Sequence, residues 1–151
     1  MQEDIKDILT SFFGQVKDNK HTTSHFPSHY SGLQMKVGFG VGRTAKIPWI
    51  TFLGEGQKPQ NGIFPVYYFF KEYDILVLAY GISEAETPVK KWKQENETKT
   101  VAEYAEHLGF EPHKYRDSYV YNAYDTSKSL DWHKIEIDLD SLIDYYKRIL
   151  Q

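Results

Sequence analysis

No cysteine occurs anywhere in the 151 residues, which excludes disulfides and thiolate metal ligands and fits a reducing compartment. Long apolar runs are missing as well: the longest lie between turn signals and fall short of the roughly 20 residues that span a bilayer. Met1 to Lys20 lacks the pattern of a secretion signal, so the chain is expected to be soluble and cytoplasmic, with no membrane partner. A GxxxxGK[ST] phosphate loop and a Gly-x-Ser-x-Gly elbow are both absent, and no thiol is available as a nucleophile. These gaps point away from nucleotide hydrolysis by that route and from hydrolases built on an activated Ser or Cys.

A further absence is local. From Asn19 to Gly54 there is no Asp or Glu, whereas Lys20, Lys36, Arg43 and Lys46 are present with His21, His25 and His29 nearby. The net charge of -3 and a pI near 6.1 argue against a protein coated in positive charge and against tight, indiscriminate nucleic-acid binding. The acid-free stretch instead predicts one cationic face, with Lys90, Lys91 and Lys93 as a second cluster in a charged loop.

What is abundant is aromatic surface, 16% of the chain with twelve Tyr and nine Phe. Such rings either fill a core or present flat platforms for bases, a stacking contact of roughly 1–3 kcal/mol per base. The length fits one domain over residues 1–151. Ile5, Ile8, Leu9, Phe12, Phe13 and Val16 recur at helical spacing and predict a helix from about Gln2 to Lys17 that covers a sheet. His21 to Leu33, rich in Ser, Thr and His around Pro27, reads as a loop. Weak alternation over Gln34 to Gly38, a strand over Ile47 to Leu53 and an aromatic strand over Ile63 to Phe70 follow, with Pro48 and Pro65 marking starts, edges or bulges. Lys71 to Asp74 is a compact turn into the buried strand Ile75 to Tyr80. Ile82 to Lys99 reads as an exposed loop with Trp92 folded back onto the body. Thr100 and Glu103 form a capping box for a helix with Val101, Tyr104, Ala105 and Leu108 inward and Gly109 as its stop. Asp117 to Tyr124 is a further strand, and Asp138 or Asp140 caps a last helix that turns Leu139, Leu142, Ile143, Tyr146 and Leu150 inward. The sum is an α+β fold, a mixed or antiparallel central sheet packed by N- and C-terminal helices.

Three constellations offer chemistry and each meets an obstacle. Gly40 to Ala45 matches a dinucleotide-binding pattern, but Pro48 forbids the helix that pyrophosphate needs, so these glycines shape a tight loop instead. His21, His25 and His29 fall four apart, yet Pro27 breaks any helix that would align them, and no metal site is expected. Asp74, Glu97 and Lys99 loosely imitate a Mg²⁺-holding nuclease set, but Glu97 and Lys99 lie in a polar loop, where such sets need strands. No catalytic residue is assigned.

From Phe26 to Ser83 the chain carries Lys46-Ile47-Pro48-Trp49, Gly54-Glu55-Gly56-Gln57, Asn61-Gly62-Ile63-Phe64-Pro65-Val66 and Leu78-Ala79-Tyr80-Gly81-Ile82-Ser83. Lys99 to Tyr104, Lys114-Tyr115 and Ser118-Tyr119 extend the series. With these segments the chain resembles the N-terminal DNA-binding domain of McrB, the targeting subunit of a restriction system that attacks methylated DNA. The resemblance implies a non-enzymatic module, needing no cofactor, that flips a modified cytosine of the 5-methylcytosine type out of double-stranded DNA. It implies a base pocket at Trp49, Phe64 and Tyr68, where the best-known member keeps the Trp but has Tyr and Leu at the other two positions. It also places a gap-filling residue at Val41, a Tyr in that member; Phe39 and Arg43 are alternatives for the role. Phosphate contacts would come from Lys20, Lys36, Arg43 and Lys46, with Lys90, Lys91 and Lys93. A GTPase motor and a nuclease subunit are the expected partners in the full system. The residues alone leave two other classes open: a protein-interaction or small-ligand domain in which Trp49, Phe64 and Tyr68 are core, and a Mg²⁺-dependent nuclease.

Overall fold

Strand residues here are mostly aromatic or β-branched, and they assemble in chain order. In the computed structural model, which describes residues 4–40, 45–93 and 98–151, six strands form one antiparallel sheet. They are β1 (His29–Tyr30), β2 (Leu33–Gly38), β3 (Trp49–Leu53), β4 (Ile63–Phe70), β5 (Ile75–Ile82) and β6 (Tyr119–Asp125), each paired with its neighbour in sequence. Every residue of β4 is buried, which is why it reads as a continuous apolar run instead of alternating. The ladder between β3 and β4 ends at Thr51 and Val66, next to Pro65, so the residue with no N–H to donate sits where pairing on one side stops. A 3-10 turn over Lys71–Tyr73, closed by Asp74 in the left-handed conformation at φ 54°, joins β4 to β5.

Alternation along β4 sends Ile63, Tyr67 and Phe69 to one face and Phe64, Val66, Tyr68 and Phe70 to the other. The first face is closed by α1 (Ile5–Asp18) and α3 (Trp132–Leu150). Phe69 meets Phe12 and Phe13 of α1 at 6.2 and 5.0 Å between ring centroids. The Tyr146 hydroxyl of α3 donates to the Ile63 carbonyl at 2.7 Å and accepts from the Gly54 N–H at 2.9 Å. The second face is only partly covered, by α2 (Val101–Leu108) and the loops around it. Thr100 and Glu103 make the expected capping box, and Gly109 stops α2 at φ 90°. The Val101 N–H donates to the Ser118 carbonyl at 2.8 Å, tying α2 to the start of β6.

Four expectations change. α1 starts at Ile5 with Asp4 as its cap, and Gln2 lies outside the described residues. The loop from His21 to Leu33 contains β1, held by pairing with β2. Leu108 is 45% exposed, because α2 is too short to turn its last residue onto the sheet. α3 is capped by Asp131, whose side chain accepts from the Lys134 N–H at 3.1 Å, so the helix begins well before Asp138. Asp138 is instead a buried carboxylate inside α3, held by Asn122 Nδ2 at 2.8 Å, the Tyr124 hydroxyl at 2.7 Å and Lys134 Nζ at 3.2 Å. Among the described residues no helix is long and apolar enough to cross a membrane.

Two acids of α3 should therefore respond differently. Asp138 is buried and its partners Asn122 and Tyr124 half-buried, so Asp138→Ala strands both and should cost about 2–4 kcal/mol in urea unfolding. Asp140 is exposed, and its carboxyl is raised by partial burial and by Glu136 and Asp144. Asp140→Ala should stay within about 0.5 kcal/mol of wild type.

Candidate functional site

The half-covered face of the sheet carries a cavity of about 320 Å³. That volume falls at the small end of ligand sites, which run from about 300 to 1,000 Å³. Its floor comes from Trp49 and Thr51 of β3, Phe64 and Tyr68 of β4, and Ile82 of β5. Strand register brings them together: Trp49 pairs with Tyr68, and Phe64 pairs with Gly81. Phe64 and Tyr68 are 3% and 2% exposed, whereas Trp49 is half-buried.

Two glycines make room for the rings. Gly38 pairs across from Trp49, and a Cβ there would overlap Trp49 Cε2, Cζ2 and Nε1. A Cβ at Gly81 would lie 2.7 Å from Phe64 Cδ1 and Cε1. Each aromatic therefore lies flat over a glycine on the neighbouring strand, and a larger residue at either position would push a ring into the cavity or off the sheet.

Three loops form the mouth, contributing Pro59 and Gln60, Ser83 to Ala85, and Lys114 and Tyr115. They are tied to one another. The Ser83 N–H donates to the Gly62 carbonyl at 3.0 Å, the Gly62 N–H to the Ser83 hydroxyl at 3.0 Å and the Glu86 N–H to the Gln60 carbonyl at 3.1 Å. The Tyr115 N–H donates to Glu84 Oε2 at 2.7 Å. Tyr115 holds a left-handed backbone at φ 64° and stacks its ring on Tyr68, 4.3 Å away with 10° between planes. Burial, then Glu84, pushes the Tyr115 phenol up to about 12. Burial also raises the Tyr68 phenol, against an opposing pull from Ser118, whose hydroxyl lies 3.2 Å from that of Tyr68. Both rings stay neutral at ordinary pH. The Thr51 hydroxyl oxygen is buried and has no hydrogen-bond partner among the described residues.

The expected cations distribute unevenly. Lys36 is exposed and pairs across from Thr51, so it shares the cavity's face. Lys20 is exposed beyond the end of α1. Lys46 borders a separate hollow of about 50 Å³ with Tyr73, Phe110 and His113. Lys90, Lys91 and Lys93 are exposed but do not line the cavity, and Trp92 between them is anchored toward α3 by Tyr145 and Tyr146 and by its 2.8 Å bond to the Gly81 carbonyl. Val41, Arg43 and Glu97 lie outside the described residues. Phe39, an alternative for the gap-filling role, is 3% exposed and packs on Phe12 and Phe26, so it belongs to the core. Asp74 sits in the turn between β4 and β5, not on a strand as the nuclease constellation required. His25 and His29 make unrelated contacts, with Phe26 and with Ser28. Among the described residues no group of His, Asp or Glu could hold a metal ion.

Residues 2–151 match the family described as MrcB-like, N-terminal domain. The chain belongs to that family. It is also 38% identical over 150 residues to the type IV methyl-directed restriction enzyme EcoKMcrB subunit of Escherichia coli (strain K12), a match covering 97% of this chain. The chain spans 33% of that relative's length. In this MrcB-like domain the residues that sequence reasoning passed over are Thr51, Glu84, Lys114 and Tyr115, and the ring-seating glycines Gly38 and Gly81. Gly38, Thr51, Gly81 and Lys114-Tyr115 fell within the stretches that carried the resemblance but without a role, and Glu84 lay just outside them; their roles become visible only once register and loop ties are known.

Two substitutions in the cavity should part company. Gly81→Ala should destabilise the domain by about 1–3 kcal/mol through overpacking against Phe64. Thr51→Val, which removes an unpartnered buried hydroxyl, should be neutral or stabilising by up to about 1 kcal/mol in the same urea titration.

Proposed function

We propose that the domain binds double-stranded DNA and takes a modified cytosine, swung out of the duplex, into the cavity floored by Trp49, Phe64 and Tyr68. The observation that carries this reading is the cavity itself. Three aromatic positions that the family resemblance assigned to a base pocket surround one hollow on the sheet face left uncovered by α1 and α3. A relative whose name describes a methyl-directed restriction enzyme is in keeping with a methylated target.

Physical chemistry makes extrusion a sensible route. The 5-methyl group of a stacked cytosine lies in the major groove, and only an extruded base can be enclosed on all sides. Extrusion costs a few kcal/mol, which stacking on aromatic walls and phosphate contacts must offset. Lys36 on the cavity's face and Lys114 at its mouth suit those contacts, with Lys20, Arg43 and Lys46 farther along the acid-free stretch. Val41 fills the gap left in the stack as a small apolar wedge. The domain supplies no catalytic group and no cofactor; it acts in the cytoplasm as the targeting module of a modification-dependent restriction complex whose GTPase motor and nuclease lie on other domains or subunits.

Gel shifts of duplexes carrying cytosine, 5-methylcytosine, 5-hydroxymethylcytosine, N4-methylcytosine or N6-methyladenine, with and without Mg²⁺, test this reading. One methyl is worth about 0.8 kcal/mol by area and about 1–3 kcal/mol in a fitted pocket, so a modified cytosine should win by roughly 4- to 160-fold. Trp49→Ala should erase that preference, and Lys36→Ala should lower the salt slope by about one. Equal binding of cytosine and every modified duplex would contradict the proposal, as would Mg²⁺-dependent cutting.

A further inference from the structure

Thymine carries the same 5-methyl group on the same pyrimidine ring as 5-methylcytosine, and every A·T pair offers one. The two bases differ at C4, where thymine has a carbonyl oxygen and cytosine an amino group, and at N3, which bears a proton only in thymine. An A·T pair has two hydrogen bonds where a G·C pair has three, so thymine is also the easier base to extrude. A cavity that read ring shape and methyl alone would fill with thymine. Apolar contact cannot reject it, because discrimination of that kind comes from a polar group that the wrong base leaves unpaired.

Glu84 is the one carboxylate among the described residues that line the cavity. Its place is fixed from both sides. The preceding Ser83 is bonded to Gly62 through its N–H and its hydroxyl, and that hydroxyl also donates to the Glu86 carbonyl at 2.6 Å. The Tyr115 N–H holds Oε2 at 2.7 Å. Among the described residues the other oxygen, Oε1, has no hydrogen-bond partner, and the hydroxyls of Ser83 and Tyr68 are already engaged. The site thus presents an exposed acceptor, tethered by the Tyr115 N–H, beside aromatic walls.

Resting on the pocket reading above, we infer that Glu84 determines base identity. Oε1 accepts a hydrogen bond from the exocyclic amino group of a cytosine-type base, as carboxylates do from cytosine N4. Thymine would instead set its C4 carbonyl oxygen against the carboxylate, with repulsion and no proton between them. The aromatic cavity reads the modification, and Glu84 reads the ring that carries it.

Fluorescence anisotropy with the purified domain tests this, using duplexes that place cytosine, 5-methylcytosine or thymine opposite an abasic site, so that no base pair has to be broken. Wild type should bind 5-methylcytosine at least about tenfold tighter than thymine. Glu84→Gln can turn its amide to offer either a donor or an acceptor and should bring the two within about twofold; Glu84→Ala should also close the gap, by weakening the 5-methylcytosine complex. Both substitutions fall at an exposed side chain, so the fold should persist. If both variants keep the wild-type gap, or if wild type prefers 5-methylcytosine to cytosine yet binds thymine equally well, the role of Glu84 is overturned while the pocket reading stands. If wild type binds 5-methylcytosine no tighter than cytosine, the pocket reading falls and takes this role with it.

Discussion

Two cross-strand pairs, Gly38 with Trp49 and Phe64 with Gly81, set the shape on which the cavity depends. In each, a large ring covers a strand neighbour that has no side chain, and the glycine's missing Cβ is what lets the ring lie against the sheet. Rings seated that way leave a hollow between them; rings standing on larger neighbours would interlock and fill it. β3, β4 and β5 must keep their register for this to hold, because a slip of one residue would send every one of these side chains to the opposite face.

That register is secured from the other side of the sheet. Tyr146 of α3 bonds both Gly54 and Ile63, the residue just after β3 and the first of β4, while Phe12 and Phe13 of α1 grip Phe69. The helices thus pack against one face of the sheet, and the cavity lies on the other. Phe64 and Tyr68 line the cavity and belong to the buried core at once, whereas Thr51, whose hydroxyl has no partner among the described residues, can be altered with little effect on folding. The mouth is preorganised in the same spirit, since the loops around Gln60, Ser83 and Tyr115 are bonded to one another without any ligand.

Much of the architecture could be read from the chain because its signals are local. The apolar stripe of α1, the capping box at Thr100 and the turn between β4 and β5 each depend on residues a few positions apart. The start of α3 could not, because Asp138 looks like a cap until its partners Asn122 and Tyr124 arrive from β6. Leu108 fitted the inward stripe of α2 but lies past the point where that helix meets the sheet. In the site, Trp49, Phe64 and Tyr68 border one cavity through strand register, and Phe64 and Tyr68 are at the same time part of the buried core that spacing alone allowed. Glu84 and Tyr115 were illegible for a different reason: their bond joins positions 31 residues apart through a loop whose left-handed turn falls on a tyrosine and not on a glycine.

The central claim, that a single base leaves the duplex and enters this hollow, is tested most directly by a crystal structure of the domain with a short duplex holding one 5-methylcytosine. The account predicts that base inside the cavity, its ring against Trp49 and Phe64 and its partner guanine left unpaired. A 5-methylcytosine still stacked and paired in the helix, with the cavity empty, would contradict it.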